Sequence, residues 1–260
     1  MKRLSRWRRF LLAFPLLLIL LFGGYLAWAN VQNAPLPTAE AALESDETVV
    51  VETDPWLVFR PTRASPCTGF IIYPGGLVPP AAYAPVAREI ATEGYLLVVV
   101  PMPLNLAVTA SERALDVIAA YPEIESWTIG GHSLGGAMAA RFAFANPETV
   151  EGLVLWAGYP AESNRLASYN LEVVSIYGSE DGLSTPLEVA ASAALLPAET
   201  RFVEIRGGNH TQFGHYGDGP QRGDNPATIS REDQQAQIAG ATLNFLDQFA
   251  RPASAGCSSP

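Results

Sequence analysis

Short hydrophobic runs alternate with longer amphipathic segments along most of the chain. The hydrophobic runs have the length of buried strands and lie at residues 48–51, 56–59, 69–73, 95–100, 127–129, 153–156, 173–177 and 202–205. Segments with helical periodicity lie at 83–92, 111–120, 134–145, 187–195 and 230–249. The first two runs predict a hairpin, and the repeated strand–helix units predict an α/β fold, with a mostly parallel central sheet and helices on both of its faces.

The N-terminal pattern is different. Residues 10–29 carry no charge and follow a segment that contains five basic residues and no acidic one. This order predicts that the N-terminus stays in the cytoplasm and that the following chain crosses the membrane. Residues 1–29 are therefore predicted to be a retained signal anchor, with the rest of the chain extracytoplasmic at the cell membrane. The alternative is a signal peptide cleaved after Ala29, which would leave the protein secreted or periplasmic.

The rest of the chain divides by composition. Residues 30–47 are polar with two prolines, which predicts an exposed tether. Residues 48–250 are predicted to form one domain without an internal repeat, and residues 251–260 a C-terminal tail.

The charge of the chain excludes some partners. After the five N-terminal bases, the remainder carries 11 basic residues against 26 acidic ones. Such an acidic body repels phosphate backbones, so nucleic acid is not an expected partner. The membrane is an expected one, through the N-terminal segment.

The only two cysteines are Cys67 and Cys257. An exported protein meets an oxidising compartment, so these residues are a disulfide candidate that would hold the C-terminal tail, with two unpaired thiols as the alternative. Two cysteines and three histidines give no spacing typical of a metal site.

The loop after the run at 127–129 reads Gly130-Gly131-His132-Ser133-Leu134-Gly135-Gly136. A Gly-x-Ser-x-Gly sequence between a strand and a helix is typical of a sharp turn that exposes a nucleophilic serine. Ser133 is the predicted nucleophile. The N–H of Leu134, at the start of the helix, is a predicted oxyanion donor.

A serine needs a base, and three histidines are available. His210 follows the last predicted strand and precedes the last helix, where the chain order serine, acid, histidine places the base. His215 is the alternative base, and His132 is expected to point away from the serine hydroxyl.

The acid is expected after the run at 173–177, in the sequence Gly178-Ser179-Glu180-Asp181-Gly182. Asp181 is favoured because Gly182 suits a tight turn, and Glu180 is the alternative. The loop after the run at 69–73 contains Gly76, the preferred second oxyanion donor, and Leu77, the alternative.

Five segments of the chain resemble the signatures of the alpha/beta-hydrolase superfamily. They are YPGGLV, VPMPLNLAV, GGHSLGGAMAA, YGSEDGL and GGNHTQFGHYG. The resemblance covers about residues 48–250 and is closest to the bacterial alpha/beta hydrolase fold-5 group, relatives of the dienelactone hydrolases. It implies an eight-stranded, mostly parallel sheet, a Ser133–Asp181–His210 triad and no cofactor. Dienelactone hydrolases have a cysteine nucleophile where this chain has Ser133, which favours an ester hydrolase over a ring-opening lactonase.

The predicted function is therefore hydrolysis of carboxylic esters, either small molecules or lipid-like ones, through an acyl-enzyme. Peptide, thioester or perhydrolytic acyl transfer on the same triad is one alternative, and a catalytically silent, membrane-tethered binding protein is another. Many superfamily members carry a large cap, but here residues 157–172 are too few for one, so an open site is expected. Candidate lining residues, each of which could equally be packing, are Leu77, Tyr83, Met102, Tyr159 and Phe213.

Overall fold

Eight strands form one sheet in the computed structural model, which describes residues 6–63 and 65–250 and, among these, the side chains from residue 14 onward. The strands are β1 (Val49–Glu52), β2 (Leu57–Pro61), β3 (Thr68–Tyr73), β4 (Leu96–Val99), β5 (Ser126–His132), β6 (Gly152–Trp156), β7 (Glu172–Gly178) and β8 (Arg201–Ile205). Their order is β1-β2-β4-β3-β5-β6-β7-β8, with β1 and β2 antiparallel to their neighbours and the other pairs parallel. The predicted hairpin and the mostly parallel sheet are both confirmed.

Helices cover both faces of the sheet. The α-helices of the described chain are α1 (Arg6–Gln32), α2 (Pro37–Ala41), α3 (Ala84–Thr92), α4 (Ala114–Ala120), α5 (Leu134–Ala145), α6 (Pro186–Ser192) and α7 (Arg231–Leu246). Alternate residues of β3 point to opposite faces. Phe70 and Ile72 belong to the core that includes α3 and α7, whereas Ile71 and Tyr73 belong to the core that includes α4 and α5. This two-sided burial explains why the central strands are apolar throughout.

Helix α1 continues beyond the uncharged run at 10–29 to Gln32. Its portion Phe14–Gln32 is long and apolar enough to cross a membrane. A signal sequence and a membrane anchor share this property.

The segment at 30–47 is not an exposed tether along its length. Leu36 N–H donates to the His215 carbonyl at 2.9 Å, Pro35 forms an isolated bridge with Tyr216, and Ala39 in α2 is completely buried. The apolar residues spaced along this polar segment pack against the domain, and Pro37 at the start of α2 favours the helical turn. The prediction of an exposed tether is corrected accordingly.

The connection between β6 and β7 is fifteen residues long. Its one helical element is the short 3₁₀ turn Glu162–Asn164, so it does not form a large cap. The carboxyl end of β6 therefore carries no large cap. Cys257 lies outside the described residues, so its pairing with Cys67 stays a prediction.

Candidate active site

Ser133 lies at a strained turn between β5 and α5. Its backbone has φ 54° and ψ −120°, which costs a non-glycine residue about 1–3 kcal/mol. A Cβ atom at Gly131 or Gly135 would collide with the Tyr73 carbonyl oxygen, so the turn requires glycine on both sides of the serine. The Ser133 side chain is half-buried at the carboxyl end of β5, where the turn presents it to the surface.

Asp181 and His210 form a buried hydrogen-bonded pair. His210 Nδ1 lies 2.9 Å from Asp181 Oδ2 and 3.1 Å from Oδ1, and each residue is only 2% exposed. The N–H groups of Leu183 and Ser184 donate to Asp181 Oδ1 at 2.8 and 2.7 Å, which fixes the carboxylate. Because Nδ1 donates to the carboxylate, the neutral ring keeps Nε2 as a proton acceptor.

The two alternative residues have other partners. Glu180 is half-buried and accepts a hydrogen bond from the Ser179 hydroxyl at 3.0 Å. His215 Nδ1 lies 2.9 Å from the Thr38 hydroxyl, and burial lowers the pKa of His215 to about 4. The structure therefore brings Asp181 and His210 together, whereas His215 binds the N-terminal segment.

The loop after β3 meets the start of α5. A Cβ atom at Gly76 would lie 3.3 Å from Leu134 Cδ2, so these two residues are neighbours. Leu77 N–H donates to the Asn105 carbonyl at 2.7 Å and is therefore committed elsewhere. Among the backbone hydrogen bonds that the described residues form in turns and loops, none has Gly76 N–H or Leu134 N–H as its donor. The two N–H groups therefore remain the predicted oxyanion donors.

His132 lies between the loop that follows β3 and the loop that contains His210. The Tyr83 hydroxyl accepts from Gly75 N–H at 2.9 Å and lies 3.0 Å from His132 Nδ1. The His132 ring stacks on Phe213 at 5.5 Å and lies 4.5 Å, centroid to centroid, from the His210 ring. Burial, and then the neighbouring His210, hold the pKa of His132 well below its ordinary value. The residue before Ser133 is therefore a neutral ring that packs directly against His210.

Asp224 is a site residue that no sequence pattern indicated. Its Oδ1 accepts from Gly182 N–H at 3.1 Å and His210 N–H at 3.2 Å, and its Oδ2 accepts from Thr211 N–H at 2.8 Å and the Thr211 hydroxyl at 2.7 Å. One carboxylate therefore ties the loop of Asp181 to the loop of His210. It lies in a polar loop between elements, where an aspartate carries no positional signal.

The five candidate lining residues divide into two groups. Tyr83, Phe213 and Met102 are buried, and the first two pack around His132. Leu77 and Tyr159 are half-buried and reach the surface. Among the described residues no group of three or more histidine, cysteine or acidic side chains could hold a metal ion.

A family model described as "Alpha/beta hydrolase family" matches residues 69–236 of the chain. The search of curated protein sequences found no match to this chain. Solved structures share the fold, among them the following three. The esterase domain of a Rhodothermus marinus protein is 14% identical with a TM-score of 0.57, and the match covers 74% of this chain and 92% of that one.

The second is Est1E from Butyrivibrio proteoclasticus with bound ferulic acid, at 11% identity and a TM-score of 0.57, covering 76% of this chain and 98% of that one. The third is esterase 2 from Thermogutta terrifontis phosphorylated by paraoxon, at 15% identity and a TM-score of 0.57, covering 78% of this chain and 94% of that one. At these identities the similarity to the three structures concerns the fold.

Proposed function

Because the chain belongs to the alpha/beta hydrolase family, we propose that it is a serine hydrolase that cleaves carboxylic esters through an acyl-enzyme intermediate. The observation that carries this proposal is the buried Asp181–His210 pair beside the strained turn at Ser133. Esterases among the structures of similar fold favour an ester over other acyl compounds.

In the proposed acylation step, Ser133 Oγ attacks the ester carbonyl carbon while His210 Nε2 takes the hydroxyl proton. Asp181 stabilises the imidazolium that forms and keeps the ring in the orientation required. The carbonyl oxygen becomes anionic and accepts hydrogen bonds from the Gly76 and Leu134 N–H groups. His210 then gives its proton to the departing alcohol oxygen as the carbon–oxygen bond breaks.

Deacylation repeats this sequence with water. His210 removes a proton from a water molecule, the water oxygen attacks the acyl carbon, and the Ser133 oxygen leaves with the proton held by His210. No step requires a cofactor or a metal ion, because the nucleophile, base and oxyanion donors all come from the chain.

We further propose that residues 1–29 remain attached as a membrane anchor with the catalytic domain on the extracytoplasmic side. Helix α1 runs without a break through Ala27, Trp28 and Ala29 to Gln32. Ala29 is only 3% exposed, because it packs against the domain. A continuous helix whose last turn contacts the domain supports retention over cleavage.

The proposed function is tested with full-length protein in detergent and p-nitrophenyl acetate as substrate. A burst of p-nitrophenol equal to the enzyme concentration, followed by a slower steady state, is expected when deacylation limits turnover. Ser133→Ala should abolish both the burst and the steady state. Hydrolysis that persists at an undiminished rate in Ser133→Ala would overturn the proposal.

A further inference from the structure

A groove of about 770 Å³ is lined by the end of α1 and by the loop at 216–222. Its α1 wall includes Tyr25, Trp28 and Val31, which are 51%, 54% and 72% exposed. The groove is also lined by Gln32, Asn33, Leu77 and the polar segment 217–222. It therefore combines apolar side chains that continue the hydrophobic helix with polar groups of the domain.

The end of α1 is fastened to the loop that supplies Gly76. The Asn33 side chain donates to the Leu77 carbonyl at 3.0 Å, and Leu77 N–H donates to the Asn105 carbonyl at 2.7 Å. The Asn105 side chain in turn donates to Asn30 Oδ1 at 3.0 Å. Since Gly76 directly precedes Leu77, these contacts fix the proposed oxyanion donor beside the last turn of the helix.

The aromatic residues at this end of the helix indicate where the groove lies relative to a bilayer. Tyr25 and Trp28 pack against each other with ring centroids 5.9 Å apart, and they follow an exposed apolar stretch at 16–22. Tyrosine and tryptophan prefer the membrane–water interface, where one end of the ring is apolar and the other is hydrated. The groove therefore opens at the surface of the membrane that the helix spans.

On the basis of the proposed function and the retained anchor, we propose that the substrate is an ester resident in the bilayer and carrying a long apolar chain. The chain lies along Tyr25, Trp28 and Val31, and the ester carbonyl passes Leu77 to reach Gly76 and Ser133. An amphiphile that moves along this groove keeps its chain in apolar surroundings throughout, so it does not have to enter water to reach the site.

The test compares two esters of p-nitrophenol, the palmitate and the acetate, with full-length protein reconstituted in phosphatidylcholine vesicles. The palmitate partitions into the bilayer and the acetate is soluble. Gly219→Trp adds a large side chain at a residue that lines the groove, where a Cβ atom meets no atom within 4 Å. We expect this variant to lower the ratio of kcat/KM for palmitate to that for acetate by about tenfold or more.

Gly240→Trp is the matched control. Gly240 lies on α7, outside the groove, and its Cβ atom would likewise meet nothing within 4 Å. It should leave both rates unchanged.

If Gly219→Trp does not fold, Val31→Gln replaces it, since Val31 also lines the groove. The ratio of kcat/KM for palmitate to that for acetate should then fall by about threefold.

The outcomes separate the inference from the proposed function. Wild-type protein that hydrolyses the acetate but not the palmitate overturns the inference alone, as does an unchanged ratio in the folded groove variant. Wild-type protein that hydrolyses neither ester overturns the proposed function itself. A palmitate-selective loss in Gly219→Trp, absent from Gly240→Trp, supports the groove as the route of the apolar chain.

Discussion

His210 Nδ1 lies 2.9 Å from Asp181 Oδ2, and the two side chains are almost fully buried. The bond leaves His210 Nε2 as the acceptor, and in the proposed mechanism the buried carboxylate stabilises the charged ring that forms when the serine proton is transferred. The neighbouring Glu180 hydrogen-bonds to Ser179 instead.

Asp181→Asn should lower kcat for p-nitrophenyl acetate on the order of 10³ to 10⁴-fold, because an amide can hold the wrong tautomer and does not stabilise the imidazolium. Glu180→Gln makes the same chemical change one residue away and is the control. It should retain kcat within about threefold. If Glu180→Gln lost more activity than Asp181→Asn, the acid would be Glu180.

Asp224 positions both partners of this pair. Asp224→Asn replaces one carboxylate oxygen with an NH₂ group, which cannot accept from Gly182, His210 or Thr211. We expect kcat to fall by about tenfold to 100-fold while KM changes less, since a displaced base impairs proton transfer more than binding.

The exposed residue Asp116 on α4 supplies the control for this change. Asp116→Asn should leave kcat and KM unaltered. A loss in Asp224→Asn that appears entirely as increased KM would contradict a positioning role toward His210.

The Tyr83 hydroxyl joins Gly75, beside the proposed oxyanion donor Gly76, to His132. Tyr83→Phe removes both contacts without opening a large cavity. It should reduce kcat by about tenfold through loss of order in the loop that presents Gly76. Tyr95→Phe removes a comparable hydroxyl contact, to Asp247, far along the sheet, and should not change kcat. Equal effects of the two substitutions would mean that Tyr83 contributes stability alone.

Because of His215, we expect the stability of the fold to decrease at acidic pH. Burial lowers its pKa from the ordinary value of 6.5 to about 4, so between these pH values the unfolded chain binds more protons than the folded one. The free energy of unfolding therefore decreases as pH falls through this window. The buried His132 acts in the same direction.

Thermal unfolding of the full-length protein at pH 7 and pH 4.5 measures this effect. In His215→Gln the decrease in Tm between the two pH values should be smaller than in the wild type, because the variant has no group at this position that gains a proton. Identical decreases in the two proteins would show that His215 does not contribute to the acid sensitivity.

Much of the fold and site follows from local patterns. Apolar runs such as 95–100 identify strands that are covered on both faces, and parallel strands place their following loops at one edge of a sheet. Ser133, Asp181 and His210 could therefore be proposed from their positions after β5, β7 and β8. The positive φ at Ser133 agrees with the glycines around it.

The remaining features depend on contacts between distant parts of the chain. Asp224 acts through the backbone of two loops, and nothing in its local sequence distinguishes it from other loop aspartates. Likewise, the polar composition of 30–47 did not reveal that Leu36 and Pro35 pair with His215 and Tyr216. Such pairing is set by the folded surface that the segment meets.

The central claim is that Ser133 is the nucleophile, and covalent labelling with paraoxon tests it most directly. Full-length protein is treated with paraoxon, digested with trypsin and analysed by mass spectrometry. The account predicts a single diethylphosphoryl group on Ser133, within tryptic peptide 114–141, which also contains Ser126. It also predicts no adduct in Ser133→Ala. An adduct on Ser126 or another serine, or labelling that persists in Ser133→Ala, would contradict it.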